Sequence, residues 1–206
     1  MKRIRHAGLI QTENAYMHVN QDTEIYAKNE GDEDLLIRFA EELNNIGGSF
    51  VFCESIETLH QNMKILLDSR KVTELFSIDK SLSTLMAKGD ISMTSDMEKI
   101  NSAPLILTGC EALVARLGTV VISSMQESGR IPNFLPEVHV VVAEQSQVVA
   151  TVKDAINQIK EKYEVMPSMV SFITGPSRTA DIEKTLVMGA HGPRELIVFV
   201  VEKLSL

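Results

Sequence analysis

Apolar residues in the first half of the chain change repeatedly between helical and extended spacing. Leu35, Phe39 and Leu43 share one helical face, and Gly47-Gly48 follows, where glycine commonly ends a helix. The same pattern predicts strands at 50–53, 72–78 and 104–108 and helices at 56–67, 81–87 and 93–100. Short apolar strands that alternate with helices are typical of a mostly parallel sheet covered by helices.

The second half of the chain is richer in β-branched residues. Two β-rich pieces at 111–115 and 118–123 are followed by a strand at 138–143 and a helix at 146–163. The pattern then predicts a further strand at 169–173 and a polar loop. It ends with a short helix that includes Ile182 and Leu186, and a last strand at 197–201. These elements predict an α/β fold.

Length and composition limit the class of protein. The 206 residues suit one large domain, and a hydrophobic content of 44% is enough for a sizeable core. We predict a single α/β domain over residues 32–206, preceded by an N-terminal arm at 1–31 that has no clear period. The net charge of −8 disfavours nucleic-acid binding, because the phosphate backbone repels a negative surface.

Neither a membrane segment nor a metal centre is indicated by the sequence. No run approaches the roughly 20 apolar residues that a spanning helix needs, and the N-terminus lacks the apolar core of a signal peptide. We therefore expect a cytoplasmic protein. Cys53 and Cys110 lie far apart, form no CxxC pair and are expected to be small buried residues. The histidines show neither HxH nor HExxH spacing, so no metal site is predicted.

The loop after the strand at 169–173 has the composition of an anion-binding turn. Gly175 allows a close backbone approach, and the Arg178 guanidinium suits a carboxylate or phosphate. Ser177 and Thr179 precede the predicted short helix, whose first N–H groups could bind an anion. Simple helix capping by Ser177 or Thr179 explains the same residues, and both interpretations stay open.

His191 lies in a second polar loop, between Gly189 and Gly192-Pro193. A loop histidine can titrate near neutral pH and act as an acid, a base or a ligand, which makes His191 the candidate catalytic residue. A surface histidine bonded to the backbone is the alternative. His139 differs because it lies within the β-branched strand at 138–143, where a packed core histidine is expected.

Together these residues resemble the lactate-utilization (LUD domain) family, in particular its stand-alone lactate-utilization protein C branch. The motif TGPSRTADIE at 174–183, followed by GAHGPREL at 189–196, carries the resemblance. Upstream, Thr108-Gly109, Gly118-Thr119, Arg130, Leu135-Pro136 and His139 match the family's middle section. The resemblance covers roughly Asp34 to Val201 and marks this chain as a divergent member.

The resemblance implies a fold and a function. The fold is a three-layer α/β/α sandwich, similar to the superfold of ribose-5-phosphate isomerase, sugar-phosphate deaminases and CoA transferases. The function is oxidation of L-lactate to pyruvate, as one subunit of an oxidoreductase complex whose iron–sulfur clusters reside in partner subunits, with no cofactor in this chain. A small organic acid or phosphorylated ligand is expected at the matching positions: Thr108, Gly118, Thr119, Thr174, Gly175, Ser177, Arg178, Thr179, His191 and Gly192.

One departure from the family pattern affects this expectation. Arg116-Leu117 stands where the family usually has an acidic residue and a threonine, so a carboxylate is lost and a cation is gained. Arg116 could pair with Glu111 or face solvent. A noncatalytic metabolite-binding or regulatory module is therefore the alternative function, and a sugar-phosphate isomerase-like enzyme rests on the fold alone. A predicted edge strand and the irregular arm are compatible with a homodimer.

Overall fold

A computed structural model describes residues 34–130, 135–180, 186–188 and 192–204 of the chain, without the side chains of 179, 180 and 186–188. The predicted N-terminal arm at 1–31 lies outside the described residues. None of the helices in the described part is long and apolar enough to cross a membrane.

Twelve strands and four α-helices form the described part of the chain. The strands are β1 (Ser49–Cys53), β2 (Leu75–Phe76), β3 (Met93–Thr94), β4 (Leu105–Thr108), β5 (Ala112–Val114), β6 (Thr119–Ser123), β7 (Val138–Glu144), β8 (Val148–Val149), β9 (Val170–Ile173), β10 (Arg178–Ala180), β11 (Leu186–Met188) and β12 (Glu195–Val201). The helices are α1 (Leu35–Asn45), α2 (Ile56–Arg70), α3 (Lys80–Lys88) and α4 (Val152–Lys162).

Six strands form a central parallel sheet in the order β1-β12-β7-β4-β2-β3. The two longest strands of this sheet, β12 and β7, are almost wholly buried and consist mainly of valine, isoleucine and phenylalanine. Strands that are covered on both faces show such continuous apolar runs instead of alternation. The predicted α/β class with a mostly parallel sheet is therefore confirmed.

A second, smaller sheet lies beside the central one. Its strand order is β8-β5-β6-β9, with β6 antiparallel to both of its neighbours and β5 parallel to β8. The β-rich pieces at 111–115 and 118–123 were predicted as strands, but their separation into a sheet of their own was not. Which sheet a short strand joins depends on packing partners far along the chain.

The helices begin at residues whose side chains bond to the first backbone N–H groups. Asp34, Ser55, Asp79 and Thr151 accept hydrogen bonds from the first turns of α1, α2, α3 and α4, respectively. Apolar residues of α2 and α3 pack on one face of the central sheet. Phe39 and Leu43 of α1 pack on the other face, together with the second sheet. Helix α4 covers the far side of the second sheet.

Two predicted helices are wrong, and the helix predicted at 146–163 begins only at Val152, after the strand β8. Residues 93–100 contain the short strand β3 and only the beginning of a 3-10 turn, Ile100–Ser102. Leu186, expected in a short helix, lies in β11, which pairs antiparallel with β10, and the residues between these two strands lie outside the described residues. The apolar positions in this segment are too few to distinguish helix from strand by spacing.

Candidate functional site

Thr119 and Thr174 are brought together by the second sheet. Thr119 begins β6 and Thr174 follows β9, and the neighbouring residues Val120 and Ile173 face each other in the antiparallel pair. The two hydroxyl oxygens lie 2.9 Å apart, within hydrogen-bond distance. Thr119 is buried, whereas Thr174 is exposed. The hydroxyl pair therefore connects the protein interior to the surface.

Two glycines beside these threonines approach the end of α1 closely. Gly118 has φ +59°, and a Cβ on it would lie 2.3 Å from the backbone nitrogen of Leu43. Gly175 has φ +80°, and its Cβ would lie 2.7 Å from the carbonyl oxygen of Ile46. Both positions need the left-handed conformation and the absence of a side chain. Glycine here allows the loops that carry the threonines to lie against α1.

Arg178 contacts the same end of α1. Its guanidinium donates a hydrogen bond through Nη2 to the Ile46 carbonyl oxygen and lies beside Gly47. The last carbonyl groups of a helix lack partners within the helix and carry partial negative charge. A cation is therefore favourable at this position.

The two loops of the C-terminal motif meet each other. The Ser177 N–H donates to the Pro193 carbonyl oxygen over 2.8 Å. A Cβ on Gly192 would come within 3.2 Å of the Ser177 Cβ. Ser177 before β10 and the described residues 192–194 before β12 are thus held together.

Seven of the ten predicted ligand-binding residues gather near the end of α1. We call them the threonine cluster: Gly118, Thr119, Thr174, Gly175, Ser177, Arg178 and Gly192. His191 and the side chain of Thr179 lie outside the described residues. Residues 178–180 form β10, so within the described residues Ser177 is followed by a strand instead of the predicted first turn of a helix, and the argument for anion binding at a helix start is not supported at Ser177.

Thr108 does not join the threonine cluster. Its hydroxyl oxygen lies 2.8 Å from Nε2 of His139, and both side chains are buried within the central sheet. Burial lowers the pKa of His139 to about 4, so the imidazole is neutral at neutral pH. His139 is the packed strand histidine that the sequence predicted.

A second polar group lies at the opposite end of β6, around Glu111. Its carboxylate is almost completely buried and accepts hydrogen bonds from the Ser123 hydroxyl at 2.5 Å and the Tyr163 hydroxyl at 2.9 Å. Lys162 donates to its other oxygen at 2.8 Å. We call these four residues the Glu111 cluster. Glu111 thus has Ser123, Lys162 and Tyr163 as its bonding partners at this end of the strand.

Proton affinities in the Glu111 cluster follow from these contacts. Partial burial lowers the pKa of Lys162, but the hydrogen bond and negative charge of Glu111 outweigh it, so the pKa is raised overall. Burial and the hydrogen bond to Glu111 raise the pKa of Tyr163. At neutral pH Lys162 therefore carries a positive charge and Tyr163 keeps its proton. Burial also raises the pKa of the neighbouring Cys110 thiol.

Sequence reasoning missed the Glu111 cluster. The partners of Glu111 lie 12, 51 and 52 residues away along the chain. Lys162 and Tyr163 stand at the C-terminal end of a helix. A basic residue there ordinarily faces solvent and interacts favourably with the helix dipole, so its sequence position does not indicate a buried partner. An acidic residue between two apolar segments was the signal that the sequence offered.

A family model described as LUD domain matches residues 36–201 of the chain. The chain belongs to the LUD domain family. Its resemblance to that family, seen in the two C-terminal loops, is confirmed. Seven residues of the threonine cluster fall within the matched LUD domain.

Relatives of this LUD domain include proteins named "Lactate utilization protein C". The protein from Geobacillus thermodenitrificans is 44% identical over 94 residues, covering 44% of this chain and 39% of the relative. The protein from Anoxybacillus flavithermus is 37% identical over 106 residues, covering 52% and 47%. The protein from Bacillus subtilis is 35% identical over 101 residues, covering 48% and 42%. The matches thus span less than half the length of these relatives.

A solved structure supports the fold of this LUD domain. The crystal structure of a DUF162 family protein from Deinococcus radiodurans matches with a TM-score of 0.61 and 19% sequence identity. The match covers 82% of this chain and 96% of that one. At this level of identity the likeness concerns the fold alone.

Proposed function

We propose that this chain takes part in the oxidation of L-lactate to pyruvate, as a subunit that acts with separate iron–sulfur proteins. Membership in the LUD domain family and the name of its relatives, "Lactate utilization protein C", support this role. In the reaction, the C2 hydroxyl of lactate becomes a carbonyl, and two electrons and two protons leave the substrate. The electrons pass to the iron–sulfur partners.

The organic acid binds, in this proposal, at the Thr174–Thr179 loop beside Thr119. The observation that carries it is the pair of hydroxyls, 55 residues apart in sequence and 2.9 Å apart in space, with Arg178 of the same loop bonded to the end of α1. Arg178 carries five N–H donors, of which the Ile46 carbonyl uses one, and a guanidinium suits a carboxylate. Hydroxyls can donate to or accept from the C2 hydroxyl of lactate.

A noncatalytic metabolite-binding or regulatory module is the second candidate function. It is favoured by Arg116, which stands in the 3-10 turn Ala115–Leu117 between β5 and β6, directly before Gly118 and Thr119. The family usually has an acidic residue at this place. A cation here would assist the binding of an organic anion but cannot act as a carboxylate base or nucleophile.

Lactate-dependent electron transfer by the chain together with its iron–sulfur partner proteins tests the proposed function. We expect Thr174→Val and Arg178→Ala to lower the rate at least about tenfold, because each removes a polar contact to the acid. Arg70→Ala is the matched control: Arg70 is also a surface arginine, paired with Glu195. That variant should keep the rate of the unaltered chain.

Three outcomes separate the candidates. Unchanged rates for both site variants would exclude the threonine cluster as the acid site. Turnover that does not depend on this chain, combined with lactate or pyruvate binding that Arg178→Ala removes, would favour the regulatory module. Loss of turnover in the two site variants, with Arg70→Ala unaffected, would support the role of an oxidising subunit.

A further inference from the structure

A cavity of about 300 Å³ opens at the carboxyl edge of the central sheet, apart from the threonine cluster. It is bordered by residues that follow three neighbouring strands: Asp79 after β2, Gly109 after β4 and Gln147 after β7. In open parallel sheets, ligands bind at the carboxyl ends of the strands. None of the cavity-lining residues belongs to the threonine cluster, so the cavity is a separate candidate site.

Gly109 leaves part of this cavity open between a hydrogen-bond acceptor and a donor. A Cβ on Gly109 would lie 3.8 Å from both Asp79 Oδ2 and Gln126 Nε2. Gln126 uses its amide oxygen to accept from the Ser123 N–H at 2.9 Å, which orients its NH₂ group. Asp79 uses its other oxygen, Oδ1, for the cap of α3. The unfilled space at Gly109 therefore faces one carboxylate oxygen and one amide donor.

The charges around the cavity disfavour an anion. Asp79 and Glu127 contribute two carboxylates, and the positive charge of Lys162 is already paired with Glu111. The N-terminus of α3 would ordinarily attract anions, but Asp79 accepts from the Leu82 N–H and Glu127 from the Lys80 N–H. A negatively charged ligand would meet the repulsion of these carboxylates and compete with them for the same donors.

A ligand hydroxyl can bond to both Asp79 Oδ2 and Gln126 Nε2, the acceptor and the donor beside Gly109. It can donate to Asp79 Oδ2 and at the same time accept from Gln126 Nε2, which neither a carboxylate nor an ammonium group can do. Gln147 adds a second amide to the lining, and its Nε2 already donates to the Cys110 carbonyl at 2.7 Å, which fixes its orientation. Several fixed polar groups around one open space are typical of a small-molecule site.

We propose that the cavity at Gly109 binds a small, uncharged, polyhydroxylated compound, one of whose hydroxyls bridges Asp79 and Gln126. This site is independent of the proposed acid site, because it shares no residue with the threonine cluster and excludes the negative charge that lactate carries. The chain would thus bind two chemically different small molecules at opposite ends of β6.

Saturation-transfer NMR on the purified chain tests this site without partner proteins or lactate turnover, so its outcome is independent of the proposed function. The probes are xylitol and sorbitol, with lactate, pyruvate and inorganic phosphate as anions. We expect transfer to the two polyols, which the anions do not compete away. Gly109→Val should weaken polyol binding roughly tenfold or more, because its side chain fills the space between Asp79 and Gln126.

Two further variants make the result decisive. Asp79→Asn keeps an oxygen for the helix cap and removes the charged acceptor, so polyol binding should weaken several-fold while the fold is retained. Thr174→Val should leave polyol binding unchanged. The proposal is overturned if neither polyol binds, if polyol binding survives Gly109→Val, or if lactate displaces the polyols.

Discussion

The two ends of β6 carry polar clusters with different physical characters. At one end, the threonine cluster contains a pair of uncharged hydroxyls and the Arg178 guanidinium, and Thr174 and Arg178 are exposed. At the other end, the Glu111 cluster buries a carboxylate and satisfies it with three donors. Neutral groups near a surface can exchange their partners for a ligand at little cost, whereas a buried charge depends on every partner it has. We therefore expect substitutions at the first end to affect binding and those at the second to affect stability.

Gly118 is the exception to this contrast. It belongs to the threonine cluster, but its substitution should give the largest effect on stability. Gly118→Ala forces a side chain into the left-handed conformation and against the backbone of Leu43, so the free energy of unfolding should fall by roughly 4 kcal/mol. Urea denaturation followed by circular dichroism measures the change.

Gly129→Ala is the matched control for this substitution. Gly129 has φ +60°, almost the same as Gly118, but a Cβ on it meets no described atom within 4 Å. It should therefore lose only about 1 kcal/mol, the cost of the conformation alone. If the two variants lose the same free energy of unfolding, the close approach of Gly118 to α1 does not contribute to the cost of the substitution.

Truncation of the buried carboxylate should give the next largest effect. Glu111→Ala removes three hydrogen bonds and leaves a small cavity, so we expect the free energy of unfolding to fall by about 3 kcal/mol. The loss stays below that of a fully buried ion pair because Lys162 is half exposed and can turn to water. Glu161 is an exposed glutamate in the last turn of α4, next to Lys162. As a control, Glu161→Ala should leave the free energy of unfolding unchanged. A neutral Glu111→Ala would contradict the structural role of this cluster.

The sequence patterns predicted the central sheet well for a physical reason. Strands such as β7 and β12 are buried on both faces, so their composition is apolar along their whole length and is visible without knowledge of their neighbours. The two-residue strand β3 and the hairpin of β10 and β11 have no such pattern. Their pairing is decided by contacts with distant residues.

The same reasoning explains which site residues were found. The threonine cluster draws four of its seven residues from the motif at 174–183 and a fifth from the motif at 189–196, and Gly118 and Gly175 stand where the backbone must pass close to α1. The Glu111 cluster and the cavity at Gly109 combine residues from several unrelated segments. Only the folded arrangement of β5, β6 and α4 shows that Lys162 and Glu111 meet. Thr108 was assigned to the ligand site by its motif, but its hydroxyl bonds to a core histidine.

The Thr108 hydroxyl bonds to His139, so the protonation of His139 tests whether this pair lies in the buried core and outside both clusters. The pKa of His139 lies at about 4 in the folded chain and near 6.5 in the unfolded chain. The unfolded state therefore binds more protons as the pH falls below 6.5, and stability is lost progressively toward pH 4, by roughly 3 kcal/mol in total. His139→Gln should flatten this dependence in urea titrations between pH 7.5 and 4.5. Parallel curves for the two proteins would mean that His139 is not buried in the neutral form.

The smallest effect on stability is expected where the effect on lactate oxidation is proposed to be large. Thr119→Val and Thr174→Val each remove one member of a hydroxyl pair, so each should lower the free energy of unfolding by about 1 kcal/mol or less. The double variant should lose less than the sum, because no hydroxyl is left without its partner. If all three variants fold and none supports lactate oxidation, the hydroxyls serve a ligand. If the double variant recovers both stability and turnover, the pair has only a packing role.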